Sequence, residues 1–374
     1  MSKPQVGDWI EVRSKEEILR TLDRRGRLDG MPFMPQMFQY CGQRFKVYKR
    51  AHKTCDTIAF NWDSPGRSVA DGIHLDLRCD GKAYGGCQAA CLVFWKEQWL
   101  KPVDGAGVTT DSPALVGGTG VDASLEAGQC TEADVVKGTS APRQNADEEI
   151  IYTCQATRLF DYTKPLPWWD PRQYVEDYTS GNASLWRIVR GAIYICYFYG
   201  TLSFSRKYGG PARWAYDRFQ SLWGGLPYPR HRGELQPGQA TELATLNLQP
   251  GELVRVKSYE EILRTVDNNN KNRGMSFDGE MMPYCGKTYR VRNRVEKFID
   301  EKTGKMKTLK TPAVILDNVY CRSRYSNERM FCPRSIFSWW REVWLERVSE
   351  NPRSPAKTTL GNTIATNNMA TADH

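Results

Sequence analysis

The sequence contains one opening stretch twice: GDWIEVRSKEEILRTLD at residues 7–23 and GELVRVKSYEEILRTVD at residues 251–267. The match continues without a gap at an offset of 244 residues, so that YCG at 40–42 falls on YCG at 284–286. Self-similarity at a fixed offset is the signature of an internal duplication. The residue types that both copies keep are therefore those that the fold of one copy requires.

The two copies also share their ends, where FWKEQWLKPV at 94–103 matches WWREVWLERV at 339–348. Each copy therefore spans about 100 residues. We call residues 7–103 repeat A and residues 251–348 repeat B.

Within each repeat the pattern indicates short strands separated by turns. In repeat A, Trp9 to Val12 alternate between apolar and polar after a Gly-Asp turn, which predicts a strand. Ser14 is suited to cap a short helix that has acidic residues in its first turn. Since several short strands with regularly spaced turns are typical of small barrels, we predict a mainly β fold with an α insert. It consists of two SH3-like small β-barrels from the duplication and a mainly helical middle segment.

Composition sets the other boundaries. Residues 104–150 carry 2 basic and 9 acidic groups and few aromatic ones, which indicates a flexible linker. Residues 151–233 are rich in Trp and Tyr, with helical periodicity at 185–199 and 212–222. The predicted organisation is a first barrel with a cysteine cluster (1–103), an acidic flexible linker (104–150), an aromatic-rich mainly helical segment (151–233), a second linker (234–250), a second barrel (251–348) and a disordered tail (349–374).

The overall charge excludes few functions. The 374 residues include 52 basic and 43 acidic ones, a formal net charge of +9, and 40% of them are hydrophobic. That composition excludes a collagen-like or wholly disordered chain. A dedicated nucleic-acid binder usually shows a denser basic cluster, so a nucleic-acid-binding module is the least favoured function. The sequence also lacks P-loop, HExxH and GxSxG motifs.

Cysteine usage indicates metal or redox chemistry. There are eleven cysteines, an odd number, and the opening residues MSKPQVGDWIEV lack the apolar run of a signal peptide. We therefore expect a cytoplasmic protein in a reducing compartment rather than a disulfide scaffold. Cysteines that cluster in such a protein are typical of metal or redox sites.

The cysteines that differ between the repeats mark the candidate metal site. Cys55 aligns with Ile299 and Cys91 with Ile336, so both positions can be apolar in this fold. We expect four thiolates of repeat A to converge on tetrahedral zinc. An iron–sulfur cluster, or no metal with the thiols buried as small hydrophobes, remain the alternatives. The predicted ligands are Cys55, Cys79, Cys87 and Cys91, with His52 as a substitute ligand.

Two further features suggest binding surfaces. The first is a strip of aromatic and charged residues shared by the repeats, which predicts a peptide-binding groove. The alternative is that these aromatic residues pack in the core. The tryptophans of this groove are Trp95, Trp99, Trp340 and Trp344. The second is the apolar stretch at 191–204, which is too short to span a bilayer. A buried element is expected there, and a membrane-surface element at 186–204 is the alternative.

Three strings carry a resemblance to a known family: YCGQRFKVYKRAHKTCD (40–56), RCDGKAYGGCQAACLVFWKEQWL (78–100) and FCPRSIFSWWREVWLERV (331–348). Together they resemble a bacterial protein family with tandem repeats and no established activity. The resemblance covers both repeats and the middle segment. It implies a bacterial cytosolic protein and transfers no catalytic residue.

These observations favour a non-catalytic binding or scaffold protein whose first barrel is stabilised by metal, with a protein or peptide as its partner. The alternative is a metal- or thiol-dependent enzyme at the cysteine cluster of repeat A. A structural zinc site has no open coordination position, whereas a catalytic one does.

Overall fold

The computed structural model describes residues 3–59, 66–103, 130–145, 147–204, 209–222, 232–236, 239–326 and 328–348. The predicted tail and residues 104–129 of the predicted first linker lie outside this part of the chain.

The chain divides into two compact units. The first unit contains residues 1–196, 293–315 and 319–339. The second unit contains residues 197–292, 316–318 and 340–374. Repeat A therefore belongs wholly to the first unit, whereas repeat B contributes residues to both.

The structure has eighteen short or medium strands and six α-helices among the described residues. The strands are β1 (Trp9–Val12), β2 (Arg27–Leu28), β3 (Met31–Pro32), β4 (Arg44–Lys46), β5 (Lys49–Arg50), β6 (Lys53–Cys55), β7 (Gly66–Val69), β8 (Gly72–His74), β9 (Trp95–Lys96), β10 (Leu100–Pro102), β11 (Thr163–Leu166), β12 (Leu253–Val256), β13 (Lys271–Asn272), β14 (Met275–Ser276), β15 (Thr288–Ile299), β16 (Met306–Tyr320), β17 (Phe337–Trp340) and β18 (Leu345–Arg347). The helices are α1 (Lys15–Leu19), α2 (Glu132–Lys137), α3 (Arg172–Thr179), α4 (Leu185–Phe204), α5 (Gly209–Leu222) and α6 (Tyr259–Leu263).

The sheets of the first unit are small and antiparallel. They have the strand orders β10-β1-β4, β5-β8-β9 and β11-β7-β6. In the first of them, Ile10 of β1 lies opposite Phe45 on one side and Pro102 on the other. The mainly β class is confirmed, but among the described residues no sheet closes into a barrel.

The open sheets of repeat A follow from the way residues 45–56 pair with other strands. The sequence predicts one long strand from 45 to 56, and the structure breaks it into β4, β5 and β6. Each piece pairs with a different strand: β4 with β1, β5 with β8, and β6 with β7. The chain thus changes partner twice within about a dozen residues, which leaves each pairing only two or three residues long.

The core of the first unit forms around repeat A. Ile10, Val12 and Ile18 are buried, and the ring of Phe33 packs edge-on against Trp99 with centroids 5.1 Å apart. Helix α1 begins as predicted: the Ser14 hydroxyl accepts from the backbone N–H of Glu17, whose carboxylate accepts from the Ser14 N–H. This capping box satisfies N–H groups that a helix start leaves without partners.

Part of the predicted first linker is folded. Residues 130–145 and 147–150 are described, and they include α2, which has its own capping box between Thr131 and Asp134. Val135 of α2 is buried against Gly26, where an added Cβ would lie 3.0 Å from the Val135 Cα. The prediction of a linker across all of 104–150 is therefore wrong for this part, because the acidic composition obscured a capped helix with one apolar anchor.

The described part of the middle segment contains the helices α3, α4 and α5. Helix α4 covers the periodic stretch at 185–199, and α5 covers that at 212–222. The segment also contains β11, which pairs with β7 in the first unit. Among the described residues, no helix is both long enough and apolar enough to cross a membrane.

The second unit is organised around β12. This strand pairs with β15 on one side and β18 on the other, both antiparallel. Its apolar residues Val254 and Val256 are buried together with Trp344. Helix α6 follows β12 and begins with a capping box between Ser258 and Glu261, at the positions that match Ser14 and Glu17.

Candidate functional site

The cysteine-rich stretch of repeat A forms a closed loop in the first unit. An antiparallel bridge between Arg78 and Leu92 joins the two ends of the loop. Immediately inside it, the backbone N–H of Cys79 donates to the carbonyl of Cys91 over 2.8 Å. Two cysteines that are twelve positions apart therefore lie side by side at the base of the loop.

Glycines allow this loop to turn back on itself. Gly81 and Gly85 flank a short 3-10 turn and both have left-handed backbone angles. A Cβ on Gly81 would lie 1.9 Å from the carbonyl oxygen of Cys87, so only glycine fits there. The backbone N–H of Cys87 in turn donates to the carbonyl of Tyr84 over 3.1 Å. The turn thereby brings the backbone of Cys87 back beside Gly81, close to Cys79 at the base of the loop.

The three cysteines of the loop line one small cavity. Its volume is about 30 Å³, enough for one water molecule or one ion. Apart from Arg334, the rest of its lining is mostly apolar, with Phe94 and Ile299 among the larger side chains. Four thiols line the cavity: Cys79, Cys87, Cys91 and Cys154.

Three of the four predicted ligands thus lie around one cavity, and the fourth does not. Cys55 is not part of the lining, and Cys154, from the middle segment, takes its place. Within the described ranges, no three His, Cys, Asp or Glu side chains are grouped closely enough to hold a metal ion directly. The metal site therefore stays a prediction, with its ligand set altered.

Burial favours the protonated form of three of these thiols, Cys79, Cys91 and Cys154. It raises the pKa of Cys79 to about 12, and it raises the pKa of Cys91 well above its ordinary value. The pKa of Cys154 is raised for the same reason. A desolvated thiol of this kind is unreactive unless a cation or a metal stabilises its thiolate.

Cys55 instead forms a pair with Cys332, which lies in the same unit. The Cys55 thiol is hydrogen-bonded to Cys332, and this contact raises the pKa of Cys55 well above 9. The same hydrogen bond lowers the pKa of Cys332 to about 7. A hydrogen bond raises the pKa of the thiol that donates it and lowers the pKa of the thiol that accepts it. Cys55 is therefore the donor, and Cys332 is the acceptor that ionises more easily.

A buried arginine lies between the cavity and the thiol pair. The Arg334 side chain is 3% exposed, and its Nη2 lies 3.0 Å from both carboxylate oxygens of Glu301. Its Nη1 donates to the Thr57 hydroxyl over 2.7 Å. Arg334 also lines the cavity and acts electrostatically on both Cys55 and Cys332, so it brings positive charge to both groups of thiols.

The two histidines of repeat A lie away from the cavity lining. His52, the predicted substitute ligand, is buried against α3, where its Nε2 donates to the carbonyl of Gln173 over 3.2 Å. Asp177 Oδ1 lies 3.3 Å from the same nitrogen. His74 is buried, and its Nδ1 donates to the Val93 carbonyl over 2.8 Å. Burial lowers the pKa of both histidines to about 3, so both are neutral at physiological pH.

The predicted binding groove is not formed. Trp95, Trp99, Trp340 and Trp344 all have no exposed surface, so they belong to the cores of their units. The indole N–H of Trp99 donates to the Thr21 hydroxyl, as that of Trp344 does to Thr265. The groove prediction is wrong because a large aromatic residue shared by both repeats is equally explained by core packing, and here packing prevails.

Sequence reasoning missed three residues of this region: Cys154, Cys332 and Arg334. Cys154 lies outside both repeats, so comparing the repeats could not reveal it. Cys332 matches Cys87 in the other repeat, and a comparison of matching positions does not reveal a contact with Cys55. The string CPR at 332–334 places a cation two residues after a cysteine, and this was the one available signal.

Comparisons of the sequence with known protein families and with curated proteins gave no match.

Proposed function

We propose that the protein is a cytoplasmic, non-catalytic binding or scaffold protein whose first unit is stabilised by one zinc ion. The proposed ligands are Cys79, Cys87, Cys91 and Cys154. The observation that carries this proposal is that four thiols, three from one closed loop and one from the middle segment, line a single cavity. Four cysteine ligands are typical of structural zinc sites.

The size and chemistry of the cavity favour zinc over an iron–sulfur cluster. A volume of about 30 Å³ suits one ion, whereas the smallest cluster brings at least four inorganic atoms. Binding would require the thiols to turn toward the cavity centre, since no three of the described potential ligands are grouped around one point. When bound, zinc would supply a cross-link between the loop of repeat A and the middle segment.

The surroundings support a structural rather than a catalytic role. No histidine and no carboxylate contributes to the described lining of the cavity, so it holds no evident proton acceptor. With four thiolates bound, zinc would also have no open position for water.

Metal analysis of single-cysteine variants tests the ligand set. Protein purified under reducing conditions should contain one zinc per chain by mass spectrometry of the metals. Cys154→Ser should lose that zinc and melt at a lower temperature, since structural zinc contributes on the order of 10 kcal/mol to folding. Cys55→Ser should keep the metal.

Cys41→Ser is the matched control, because Cys41 is half-buried like Cys154 but does not line the cavity. Zinc loss from Cys55→Ser together with zinc retention in Cys154→Ser would overturn the proposed ligand set. Wild-type protein that binds no zinc after reconstitution would overturn the metal centre altogether.

The proposed partner is another protein, and its docking region is the exposed apolar part of the middle segment. Trp169, Val175 and Leu185 are 60–68% exposed in the first unit. Large apolar side chains exposed in one short stretch mark interaction sites more often than ordinary surface. A photo-crosslinker placed at 169 should yield one defined protein product in cells, whereas one placed at the exposed Lys82 should not.

A membrane surface is the competing occupant of this region, because the predicted interfacial stretch at 186–204 begins beside it. Cosedimentation with anionic lipid vesicles separates the two cases. Vesicle binding that Trp169→Ala abolishes, with no protein crosslink at 169, would refute a protein partner.

We also propose that repeats A and B derive from one SH3-like β unit. Equivalent strand orders support this, since β10-β1-β4 in the first unit corresponds to β18-β12-β15 in the second. The matching capping boxes that begin α1 and α6 support it as well.

A further inference from the structure

We infer that Cys55 and Cys332 are a redox-active thiol pair that closes to a disulfide when a hydroperoxide oxidises it. This inference does not depend on the zinc proposal, because neither thiol lines the cavity. Both cysteines are free in the structure, so it represents the reduced form of the pair.

The two thiols are brought into contact by elements far apart in the chain. Cys55 is the last residue of β6 and lies opposite Gly66 of β7. Cys332 belongs to the segment before β17, where its backbone N–H donates to the Arg329 carbonyl over 3.2 Å. The hydrogen bond between the thiols joins positions that are 277 residues apart.

Contacts beside the pair hold it in register. Thr57 lies two residues after Cys55, and Arg334 lies two residues after Cys332. These two residues are themselves hydrogen-bonded over 2.7 Å, and Glu301 bonds to both of them. On the other side of the pair, Lys53 Nζ lies 5.7 Å from the centroid of the Phe331 ring. The residues before and after Cys55 are therefore close to those before and after Cys332. Disulfide formation needs little further movement when the two cysteines are already neighbours.

The environment assigns different roles to the two sulfurs. Cys332 accepts the hydrogen bond from Cys55, and the backbone N–H of Arg334 donates to it as well, which together favour its thiolate. Cys55 keeps its proton. Cys332 is therefore the attacking thiolate, and Cys55 is the thiol that resolves the intermediate.

Access determines the class of oxidant. Cys332 is only 4% exposed, whereas Cys55 is half-buried. A protein disulfide or a bulky thiol reagent cannot approach Cys332 closely enough for in-line attack. Hydrogen peroxide and small alkyl hydroperoxides are of a size that can reach it, so they are the proposed substrates.

The reaction balances without further partners. The Cys332 thiolate attacks one peroxide oxygen, so that an S–O bond forms, the O–O bond breaks, and the departing oxygen takes a proton as water or alcohol. The Cys55 sulfur then attacks the sulfenic sulfur of Cys332. An S–S bond forms, the S–O bond breaks, and the hydroxyl leaves as water with the proton of Cys55. Two thiols lose two electrons, and one peroxide gains them.

Peptide mapping of oxidised wild-type protein is the direct test. Fully reduced protein is treated with one equivalent of hydrogen peroxide, alkylated and digested without reductant. Mass spectrometry should find the Cys55 and Cys332 peptides joined, and dithiothreitol should separate them. The inference would be overturned if the disulfide formed between cavity thiols instead. It would also be overturned if Cys332 were recovered only as the alkylated free thiol.

Variants and pH provide the second readout. Cys55→Ser should leave a sulfenic acid on Cys332 that dimedone traps once the oxidised protein is unfolded in urea, whereas Cys41→Ser should form the disulfide like the wild type. Since the pKa of Cys332 is about 7, the wild-type rate should rise about tenfold between about pH 6 and about pH 8. An ordinary thiol with a pKa of 9 would show a rise of nearly a hundredfold over the same range, and that steeper profile would contradict the role of Cys332.

These readouts separate this inference from the zinc proposal. A disulfide between Cys55 and Cys332 in protein that never binds zinc would support the thiol pair alone. Peroxide-driven zinc release with no such disulfide would support the metal centre and refute the pair.

Discussion

Glu301→Gln should destabilise the protein far more than the loss of one partly exposed carboxylate would suggest. The Glu301 side chain is 24% exposed, but its partner Arg334 is 3% exposed and is bound through both carboxylate oxygens. Arginine cannot lose its proton to escape burial, so the substitution leaves a full positive charge inside the first unit. Removing one partner of a buried ion pair costs about 3–5 kcal/mol, and we expect about 3 kcal/mol here because the amide still accepts one hydrogen bond.

The reverse deletion should cost less, because the partners differ in exposure. In Arg334→Met, the Glu301 carboxylate can be hydrated where it stands, and the methionine fills part of the space that the guanidinium leaves. The double variant should therefore lose less stability than the sum of the two single variants. Urea denaturation followed by tryptophan fluorescence would measure all three, with an unchanged m-value as evidence that only stability has altered.

Glu296→Gln is the matched control for this experiment. Glu296 lies on β15, five residues before Glu301, and pairs with Arg294 at 3.4 Å, but its side chain is 54% exposed. An exposed pair of this kind contributes less than about 1 kcal/mol. If Glu301→Gln and Glu296→Gln lower the free energy of unfolding equally, the unpaired charge of the buried guanidinium does not cause the loss, and the reasoning is refuted.

Two further predictions concern packing and pH. His74 has a pKa of about 3 in the folded protein, below its ordinary 6.5, so its neutral form stabilises the fold above pH 6.5 and this contribution is lost as the pH falls. His74→Gln should therefore lose about 2 kcal/mol less than the wild type between about pH 7 and about pH 5 in urea titrations, and parallel profiles would contradict the assignment. Gly30→Ala should cost roughly 3 kcal/mol and Gly274→Ala roughly 1 kcal/mol. Both matching glycines have left-handed backbones (φ +80° and +79°), but only a Cβ on Gly30 would meet another atom, the Asp161 carbonyl oxygen at 2.4 Å. Equal losses of stability in the two glycine variants would show that backbone strain, and not the clash with Asp161, sets the cost of the substitution.

The parts of the fold that sequence predicted correctly are those with local causes. Ser14 and Ser258 begin α1 and α6 because a hydroxyl and a glutamate three positions later satisfy the same backbone groups in both repeats. Helices α4 and α5 follow from apolar periodicity that needs no knowledge of distant residues. The break of the 45–56 stretch into three strands could not be predicted, because it depends on which distant strand each piece meets.

In the candidate site, too, the features with local causes could be predicted and those that depend on distant residues could not. The return of Cys79, Cys87 and Cys91 to one cavity follows from a short loop with glycines at its turns, and the sequence alone indicated that cluster. Cys154 reaches the cavity from a segment that shares no repeat, so no spacing rule links it to the others.

Comparing the repeats was informative about which cysteines are special and misleading about their partners. A position that is cysteine in repeat A and isoleucine in repeat B must tolerate an apolar side chain, so a thiol there carries chemistry that packing does not demand. That argument singled out Cys55 and Cys91 as sites where the other repeat has an apolar side chain. It could not show that they lie in different groups, because Cys55 meets Cys332 of the other repeat rather than its neighbours in its own. A contact between the two repeats is chemistry that one repeat alone could not have, and a comparison of equivalent positions gives no information about it.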